Sequence, residues 1–322
     1  MSETASTTAR LRVLFMGTPA LALPTLAAIA AEHDVVAVVT QPDRAAGRGR
    51  KLQQSPVKEW AVAAAVPAIQ PGRIGEPAVV KELGALGVDV AVVVAFGQLL
   101  PATVLAIPRL GSVNLHASLL PRHRGASPIQ AAILEGDVET GVTTMLMDEG
   151  LDTGPILQRR VVSMHASDTA ETLGERLGAA GPALMLDTLA GLARGTLDPE
   201  PQGDSHATMT RLIRKTDGEI DWTRPAEEVD RRVRAMQPWP VAFTTSDDER
   251  LRVWAVDQVE GGGSEIAGTV LASEAGLVVA AGQGSAVRIL ELQRMGGRRM
   301  PAEDFLRGHP LPPGTALGSG AT

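Results

Sequence analysis

Short apolar runs of strand length recur along the first half of the chain, and they constrain the fold more than any other feature. Each run is rich in valine and almost continuously apolar, which predicts strands buried on both faces of a sheet. The runs are LRVLFMG (11–17), DVVAVVT (34–40), VDVAVVVAF (88–96) and GSVNLHA (111–117). Segments with helically spaced Leu and Ala separate them. The alternation predicts an α/β fold, with a Rossmann-like, mostly parallel sheet and helices on both faces.

The pattern changes after a segment rich in Pro, Gly and polar residues, TLDPEPQGDSHAT. Short apolar stretches then follow one another between turn-forming pieces, which is typical of a small β-barrel. They lie at 241–245, 251–257, 267–272, 276–281 and 286–292. We therefore expect a first domain over 1–195, a linker over 196–208 and a C-terminal, OB-like β-barrel domain over 209–322.

Composition narrows the classes of function. The chain has 322 residues and no cysteine, which excludes disulfides, thiolate nucleophiles and cysteine-bound zinc and fits a cytoplasmic location. The net charge of −7 argues against a surface that coats nucleic acid, so such a partner would need a local basic patch. Aromatic residues make up only 2%, which disfavours base stacking. No apolar run reaches the ~18 residues of a membrane-spanning helix.

Polar residues at the ends of the predicted strands mark a candidate site. Asn114 and His116 are two apart, so in a strand their side chains share one face. An amide donor beside an imidazole suits stabilisation of a carbonyl oxygen that becomes an oxyanion. A fifth strand, predicted at 141–147, runs into MDEGLDTGPI, which carries Asp148 and Asp152. If these strands are neighbours, Asp152 can orient the imidazole and favour its protonated form.

Spacing alone leaves other interpretations open. His116 can be an ordinary residue at a strand end, and Asp152 can simply form an Asx turn. A metal site built from His116 and the two aspartates is also compatible with the residues, although the other histidines lie in no ligand-like spacing with them. The chain contains no GxSxG, HExxH or Walker motif, and the MGTPA turn lacks the glycines of a dinucleotide site.

Longer segments resemble the folate-dependent formyltransferases. NLHASLLPRHRGASPIQ, followed by MDEGLDTGPI, carries the likeness to the family. VLFMGTPALALPTL, QPDRAAGRGRKL and the later DGEIDWTRPAEEVDRRVRAMQPWPVAF resemble the members that formylate methionyl-initiator tRNA for translation initiation. The resemblance covers nearly the whole chain. It implies an enzyme that takes the formyl group from 10-formyltetrahydrofolate, uses no metal and works as a cytoplasmic monomer.

The resemblance also implies roles for individual residues. The catalytic set aligns with Asn114, His116 and Asp152. The folate-associated positions align with Phe96, Gly97, Ser118, Leu119, Leu120, Pro121 and Asp148. Two departures stand out, because Phe96 and Met209 occupy places where the family usually has Tyr. The first substitution removes a hydroxyl near the expected pterin site.

Two basic clusters are candidates for contact with tRNA phosphates. The first lies in the loop 41–54, whose position and sequence resemble an insertion of the family. Its basic residues are Arg44, Arg48, Arg50 and Lys51, with Asp43 as the one opposing charge. The second, in RMGGRRM, contains Arg294, Arg298 and Arg299, of which Arg298 and Arg299 are the candidate tRNA contacts. Composition alone favours a solvated surface loop for the first cluster, and the resemblance reverses that preference. For the second cluster, an ordinary charged hairpin is equally compatible with the residues.

Four related or alternative functions remain open at this point. A formyltransferase acting on glycinamide ribonucleotide would lack the second domain, whereas one acting on an aminosugar nucleotide would lack the basic loop. A hydrolase could release formate from the same folate. An RNA-binding module without catalytic activity would not need the Asn114, His116 and Asp152 set.

Overall fold

The computed structural model describes residues 10–46, 51–247, 249–261, 263–272 and 276–318. The chain divides into two compact units. The first comprises Met1–Pro128, Glu139–Ser163 and Gly174–Arg211, and the second comprises Ile129–Val138, Met164–Leu173 and Leu212–Thr322. Among the described residues, no helix combines the length and apolarity that crossing a bilayer requires.

Strands are interspersed with helices as far as residue 211. The strands are β1 (Arg12–Gly17), β2 (Asp34–Val39), β3 (Arg44–Ala46), β4 (Lys51–Gln53), β5 (Ala68–Ile69), β6 (Val90–Val94), β7 (Ser112–His116), β8 (Arg124–Gly125), β9 (Glu139–Leu146), β10 (Ile156–Ser163) and β11 (Met209–Thr210). The helices are α1 (Leu23–Glu32), α2 (Pro56–Ala63), α3 (Pro77–Gly84), α4 (Ala102–Leu105), α5 (Pro128–Glu135) and α6 (Ala170–Arg194).

Seven strands form the main sheet, in the order β10-β9-β7-β6-β1-β2-β5. The five from β7 to β5 are parallel, which confirms the predicted mostly parallel sheet. In contrast, β9 runs antiparallel to β7, and β10 antiparallel to β9. Strand β10 was not predicted, because its ILQRRVVS sequence has no continuous apolar run: after two buried residues, partly buried and exposed residues alternate, as in an edge strand.

Both faces of the sheet are covered. On one face, Leu14 and Met16 of β1 pack with Leu83 of α3 and Val104 of α4. The alternate residues of β1, such as Phe15, are also fully buried. On the β7 strand, α6 approaches so closely that a Cβ at Gly181 would lie 2.5 Å from the Leu115 side chain. Gly181 therefore allows α6 to pack closely on the strand that carries Asn114 and His116.

The second unit is built around a six-stranded antiparallel sheet that forms a curled half-barrel. Its elements are α7 (Ala226–Ala235), β12 (Ala242–Ser246), β13 (Glu249–Val259), β14 (Val270–Ala272), β15 (Leu277–Ala280), β16 (Ala286–Arg294), β17 (Met300–Pro301) and α8 (Ala302–Gly308). The five predicted stretches correspond to β12–β16. Helix α7 was not predicted, because only Ala226, Val229, Val233 and Ala235 of its charged sequence are buried.

Candidate active site

Strand β7 presents Asn114 and His116 on one face and Leu115 on the other. Leu115 packs under α6, so the two polar side chains project from the opposite face. Both are buried, with exposed fractions of 8% and 6%. A buried amide and a buried imidazole need partners, and the structure supplies one for each of them.

Asp152 lies beside these two residues, although β9 and β7 end at opposite edges of the sheet and not, as the sequence had predicted, at the same edge. Because β9 is antiparallel to β7, its end lies beside the start of β7, where the Met147 N–H donates to the Ser112 carbonyl over 2.8 Å. The connection between β9 and β10 then carries Asp152 back over the sheet. The Asn114 amide donates to Asp152 Oδ1 at 3.3 Å, and Asp152 Oδ2 lies 3.6 Å from His116 Nδ1.

A backbone group that the sequence analysis did not single out completes the setting of this carboxylate. The Gly125 N–H donates to Asp152 Oδ2 at 2.8 Å. Gly125 has a φ of +108°, and a Cβ there would lie 2.2 Å from the Thr210 carbonyl oxygen. Both conditions require glycine. The only signal in the sequence was the glycine of RHRGAS, which does not reveal what its N–H contacts.

The hydrogen bonds assign the tautomer of His116. Its Nε2 lies 2.9 Å from the carbonyl oxygen of His123. A carbonyl only accepts, so Nε2 carries a hydrogen, as inferred from the bonding. The nitrogen left for chemistry is therefore Nδ1, which faces the Asp152 carboxylate. At 3.6 Å the two atoms are too far apart for a direct hydrogen bond.

The predicted folate-associated residues occupy three places. Ser118–Pro121 form a turn after β7, in which Ser118 and Leu120 are almost completely buried. The Ser118 hydroxyl donates to the Arg122 carbonyl at 2.6 Å, and Thr143 holds the turn through the Ser118 carbonyl at 2.6 Å. These contacts engage Ser118 within the turn itself.

The other two places are the loops after β6 and β9. Phe96 is buried in the core, and its carbonyl accepts from the Gln41 amide at 3.1 Å. Gly97 follows it with a φ of +85°. Asp148 accepts hydrogen bonds from the Gly150 N–H at 3.0 Å and the Thr153 hydroxyl at 2.8 Å. It lines an open cavity of about 610 Å³ together with Ala102, Leu105, Ala106, Glu149 and Gly150.

The basic loop is a β-hairpin, β3–β4, in its described part. Arg44 is exposed in β3, whereas Arg48 and Arg50 lie outside the described residues, as does the side chain of Lys51. Asp43, the expected opposing charge, is 2.6 Å from Lys58 instead. The hydrogen bond from Lys58, with a second from Gln70, lowers the pKa of the Asp43 carboxyl.

The second basic cluster is partly engaged within its own unit. Arg299 forms an ion pair with Glu291, and its guanidinium lies 4.9 Å from the centre of the Trp254 ring. These contacts give Arg299 a structural role at the β16–β17 hairpin. Arg298 is exposed in the turn beside it.

Comparison with known proteins gives the same family for both halves of the chain. The formyl transferase family matches residues 10–189, and the family of formyl transferase C-terminal domains matches residues 212–310. A methionyl-tRNA formyltransferase from Pseudomonas syringae pv. syringae is 49% identical over 96% of this chain and 98% of its own. One from Caldanaerobacter subterraneus subsp. tengcongensis is 44% identical over 95% of this chain and 100% of its own.

Solved structures share the fold at low sequence identity. An N-formyltransferase from Helicobacter canadensis, in complex with folinic acid and dTDP-3-aminofucose, aligns with a TM-score of 0.66 and 18% identity over 87% of this chain and 98% of its own. HypX from Aquifex aeolicus, in complex with tetrahydrofolic acid, gives a TM-score of 0.63 at 17% identity, with 92% of this chain spanning 47% of HypX. From the two family matches, with relatives at 44–49% identity over nearly its whole length, the chain belongs to the formyl transferase family.

Proposed function

We propose that this chain transfers the formyl group of 10-formyltetrahydrofolate to the α-amine of methionyl-initiator tRNA, for translation initiation. The observation that carries the proposal is the convergence of Asn114, His116 and Asp152, an amide, an imidazole and a carboxylate, at one buried position of a chain in this family. An amide donor and an imidazole suit a developing oxyanion, and a carboxylate suits a departing amine proton.

The reaction begins with attack of the neutral amine on the formyl carbon. A peptide-like α-amine has a reference pKa of about 7.7–8, so a useful fraction is neutral near pH 7. The new C–N bond turns the formyl oxygen into an oxyanion. Asn114 carries two amide hydrogens, and Asp152 accepts one of them. The second, together with the Nδ1 hydrogen that His116 carries when its ring is protonated at both nitrogens, donates to the oxyanion.

Asp152 then removes the proton that the attacking nitrogen no longer needs, directly or through a water molecule. The tetrahedral intermediate collapses when the bond between the formyl carbon and N10 of the folate breaks. N10 takes up a proton, and the products are the formylated amine and tetrahydrofolate. The Gly125 N–H keeps the Asp152 carboxylate in place during both steps.

An open cavity that includes the predicted folate-associated Asp148 supports the folate as donor. Its volume of about 610 Å³ lies within the ~300–1,000 Å³ that small-molecule sites occupy. Its walls are α4 and the loop that continues to Asp152. We assign folate binding to this cavity together with the Phe96–Gly97 loop, the Ser118–Pro121 turn and Asp148.

The basic hairpin supports a tRNA as the carrier of the amine. In a chain of net charge −7, Arg44, Arg48, Arg50 and Lys51 form a dense local positive segment. Asp43 does not neutralise it, because Asp43 is paired with Lys58. We assign phosphate contacts to this hairpin and a further contact to Arg298, with Arg299 supporting the turn. In this role the protein acts as a cytoplasmic monomer.

Acceptor specificity tests the proposal. The protein is incubated with 10-formyltetrahydrofolate and, separately, with methionyl-initiator tRNA, glycinamide ribonucleotide, an aminosugar nucleotide or no acceptor. Formylation of the methionyl-tRNA alone is the expected result. Faster formylation of a small amine, or release of formate without any acceptor at the rate seen with tRNA, would contradict the proposal.

A further inference from the structure

We propose that Gln202 is a positioning residue that fixes the catalytic Asp152 in its productive orientation. The inference rests on the proposed function, because it assigns a supporting role to the carboxylate of that reaction. Gln202 lies in the segment after α6, between the two family matches at 10–189 and 212–310, so neither match covers it.

The Gln202 side chain joins three backbone or side-chain groups around the site. Its Nε2 donates to the carbonyl oxygens of Asp152, at 2.9 Å, and Gly154, at 2.7 Å. Its Oε1 accepts from Arg124 Nε at 2.9 Å. Carbonyls only accept and a guanidinium only donates, so the orientation of the amide is fixed by its partners. The flipped amide would place its oxygen against two carbonyl oxygens and its nitrogen against the Arg124 guanidinium.

The bonds matter because Asp152 has a backbone conformation that side-chain-bearing residues rarely adopt. Its φ is +55°, in the left-handed region. Rotation of this backbone toward a commoner conformation would swing the carboxylate away from Asn114 and His116. By holding the carbonyls of residues 152 and 154, the single amide of Gln202 opposes that rotation.

Gln202 also links the carboxylate to its donor. Arg124, which donates to Gln202, directly precedes Gly125, whose N–H binds Asp152 Oδ2 at 2.8 Å. The bonds therefore close a ring that runs from Asp152 through Gln202, Arg124 and Gly125 back to the Asp152 carboxylate. Loss of the Gln202 side chain therefore releases both Asp152 and the Arg124–Gly125 segment that binds its carboxylate.

The rest of the same segment supports His116 in a similar way. Thr208 Oγ1 accepts from the His123 N–H at 2.8 Å, and the His123 carbonyl accepts from His116 Nε2 at 2.9 Å. Residues Met209–Thr210 then pair with Arg124–Gly125 as β11 and β8. The segment after α6 is therefore part of the site. Gln202 is its contact with Asp152, and Thr208 is its contact with the support of His116.

Two variants of similar shape test the role of Gln202. Gln202→Glu keeps an oxygen toward Arg124 but places an acceptor against two carbonyl oxygens. Gln202→Met removes all three hydrogen bonds and keeps most of the volume. Gln283→Glu, at an exposed turn of the second unit, adds the same charge elsewhere and serves as the control. Each is assayed for kcat, for KM of both substrates, and for binding of 5-formyltetrahydrofolate, which does not react.

We expect kcat to fall about 10- to 100-fold in both Gln202 variants, since small misplacement of a reacting group has effects of that size. KM for both substrates and the Kd for 5-formyltetrahydrofolate should stay within about twofold of wild type, as a loss confined to orientation requires. A kcat within twofold of wild type in Gln202→Met would overturn the inference. So would a loss of folate binding that accounts for the loss of rate, since that indicates general disruption.

The wild-type protein in the same assay separates the two proposals. Wild-type formylation of methionyl-tRNA together with undiminished kcat in the variants contradicts only the role of Gln202. Absence of wild-type formylation contradicts the proposed function and, with it, this inference. If Gln202→Glu does not fold, as judged by far-UV circular dichroism, the Gln202→Met variant decides by the same criteria.

Discussion

Asn114 has two amide hydrogens, and only one of them is needed to hold Asp152 at 3.3 Å. His116 has two ring nitrogens, and only Nε2 is needed to hold the ring against the His123 carbonyl at 2.9 Å. Each residue therefore has one donor position that anchors it and one that can serve a substrate. At the residue scale, the site is preorganised because anchoring and chemistry use different atoms of the same side chains.

Removal of the Asn114 amide tests whether its second hydrogen stabilises the oxyanion. Asn114→Ala should lower kcat about 100- to 1,000-fold, corresponding to the ~2.7–4 kcal/mol of an oxyanion donor. The measurement is steady-state formylation of methionyl-tRNA at saturating folate. Ser112→Ala is the matched control, because it lies on the same face of β7 and its buried hydroxyl has no hydrogen-bond partner among the described residues. Equal rates in the two variants would rule out the role of Asn114.

A second residue-scale prediction concerns stability. His33 is buried, and its Nδ1 accepts from the Leu11 N–H at 3.4 Å, which suits the neutral ring. Burial is the largest influence and lowers the pKa of His33 below its ordinary value of 6.5. As the pH falls below about 6.5, the unfolded chain gains a proton at this position that the folded chain does not. The free energy of unfolding should therefore decrease with falling pH.

Urea denaturation at pH values from 8 to 5.5 measures this effect. The His33→Gln variant should show a shallower loss of stability over that interval than the wild type. Parallel curves for the two proteins would exclude His33 as a contributor.

The sequence predicted these residues unequally well. The two-residue spacing placed Asn114 and His116 on one face without further information. The resemblance of its glycine-rich segment to the family identified Asp152. The strand before it gave the wrong placement, since β9 runs antiparallel to β7 and the prediction had the two strands parallel. Gly125, the His123 carbonyl and Gln202 were missed because each acts through bonds to or from backbone groups, between segments distant in sequence.

The two-stranded pairing of β8 with β11 is the element on which the site depends most. It brings Gly125 against Thr210, with the Arg124 N–H donating to the Thr208 carbonyl at 2.8 Å. Both strands are two residues long, so pattern recognition in the sequence could not find them. Strands β12–β16 of the second unit were predicted from their apolar stretches and intervening turns, which are local properties.

A methyl group added at the pairing tests its importance. Gly125→Ala would place a Cβ 2.2 Å from the Thr210 carbonyl, at a φ of +108°. We expect a loss of about 1–3 kcal/mol in the free energy of unfolding and a clear fall in kcat. Gly84→Ala is the control, because it ends helix α3 and a Cβ there meets nothing within 4 Å. Unchanged stability and rate in Gly125→Ala would refute this account of the pairing.

At the scale of the whole molecule, the distribution of charge matters more than its total. The chain carries −7 overall, yet four basic residues fall within Arg44–Lys51. Composition alone therefore argued only against a surface that coats nucleic acid, and the resemblance over nearly the whole chain was needed to identify tRNA as the expected partner. The two family matches, at residues 10–189 and 212–310, agree with that resemblance.

Charge removal in the hairpin tests the tRNA assignment. A variant with Arg44, Arg48 and Arg50 replaced by Ala should have a higher KM for methionyl-tRNA and a weaker dependence of that KM on salt, since each lost phosphate contact lowers the salt slope by about one. Folate affinity should not change. Arg73→Ala, at an exposed position, is the control for removal of positive charge. An unchanged KM and salt slope would exclude the hairpin as a tRNA contact.

The catalytic role of Asp152 is tested by the rate of formyl transfer to methionyl-tRNA in Asp152→Asn, measured beside wild type and the exposed control Asp198→Asn. The variant keeps the shape of the side chain and loses the carboxylate. We predict that its kcat falls about 10²–10⁴-fold, with an unchanged thermal unfolding midpoint and with Asp198→Asn equal to wild type. A kcat for Asp152→Asn within twofold of wild type would contradict the assignment of formyl transfer to this site.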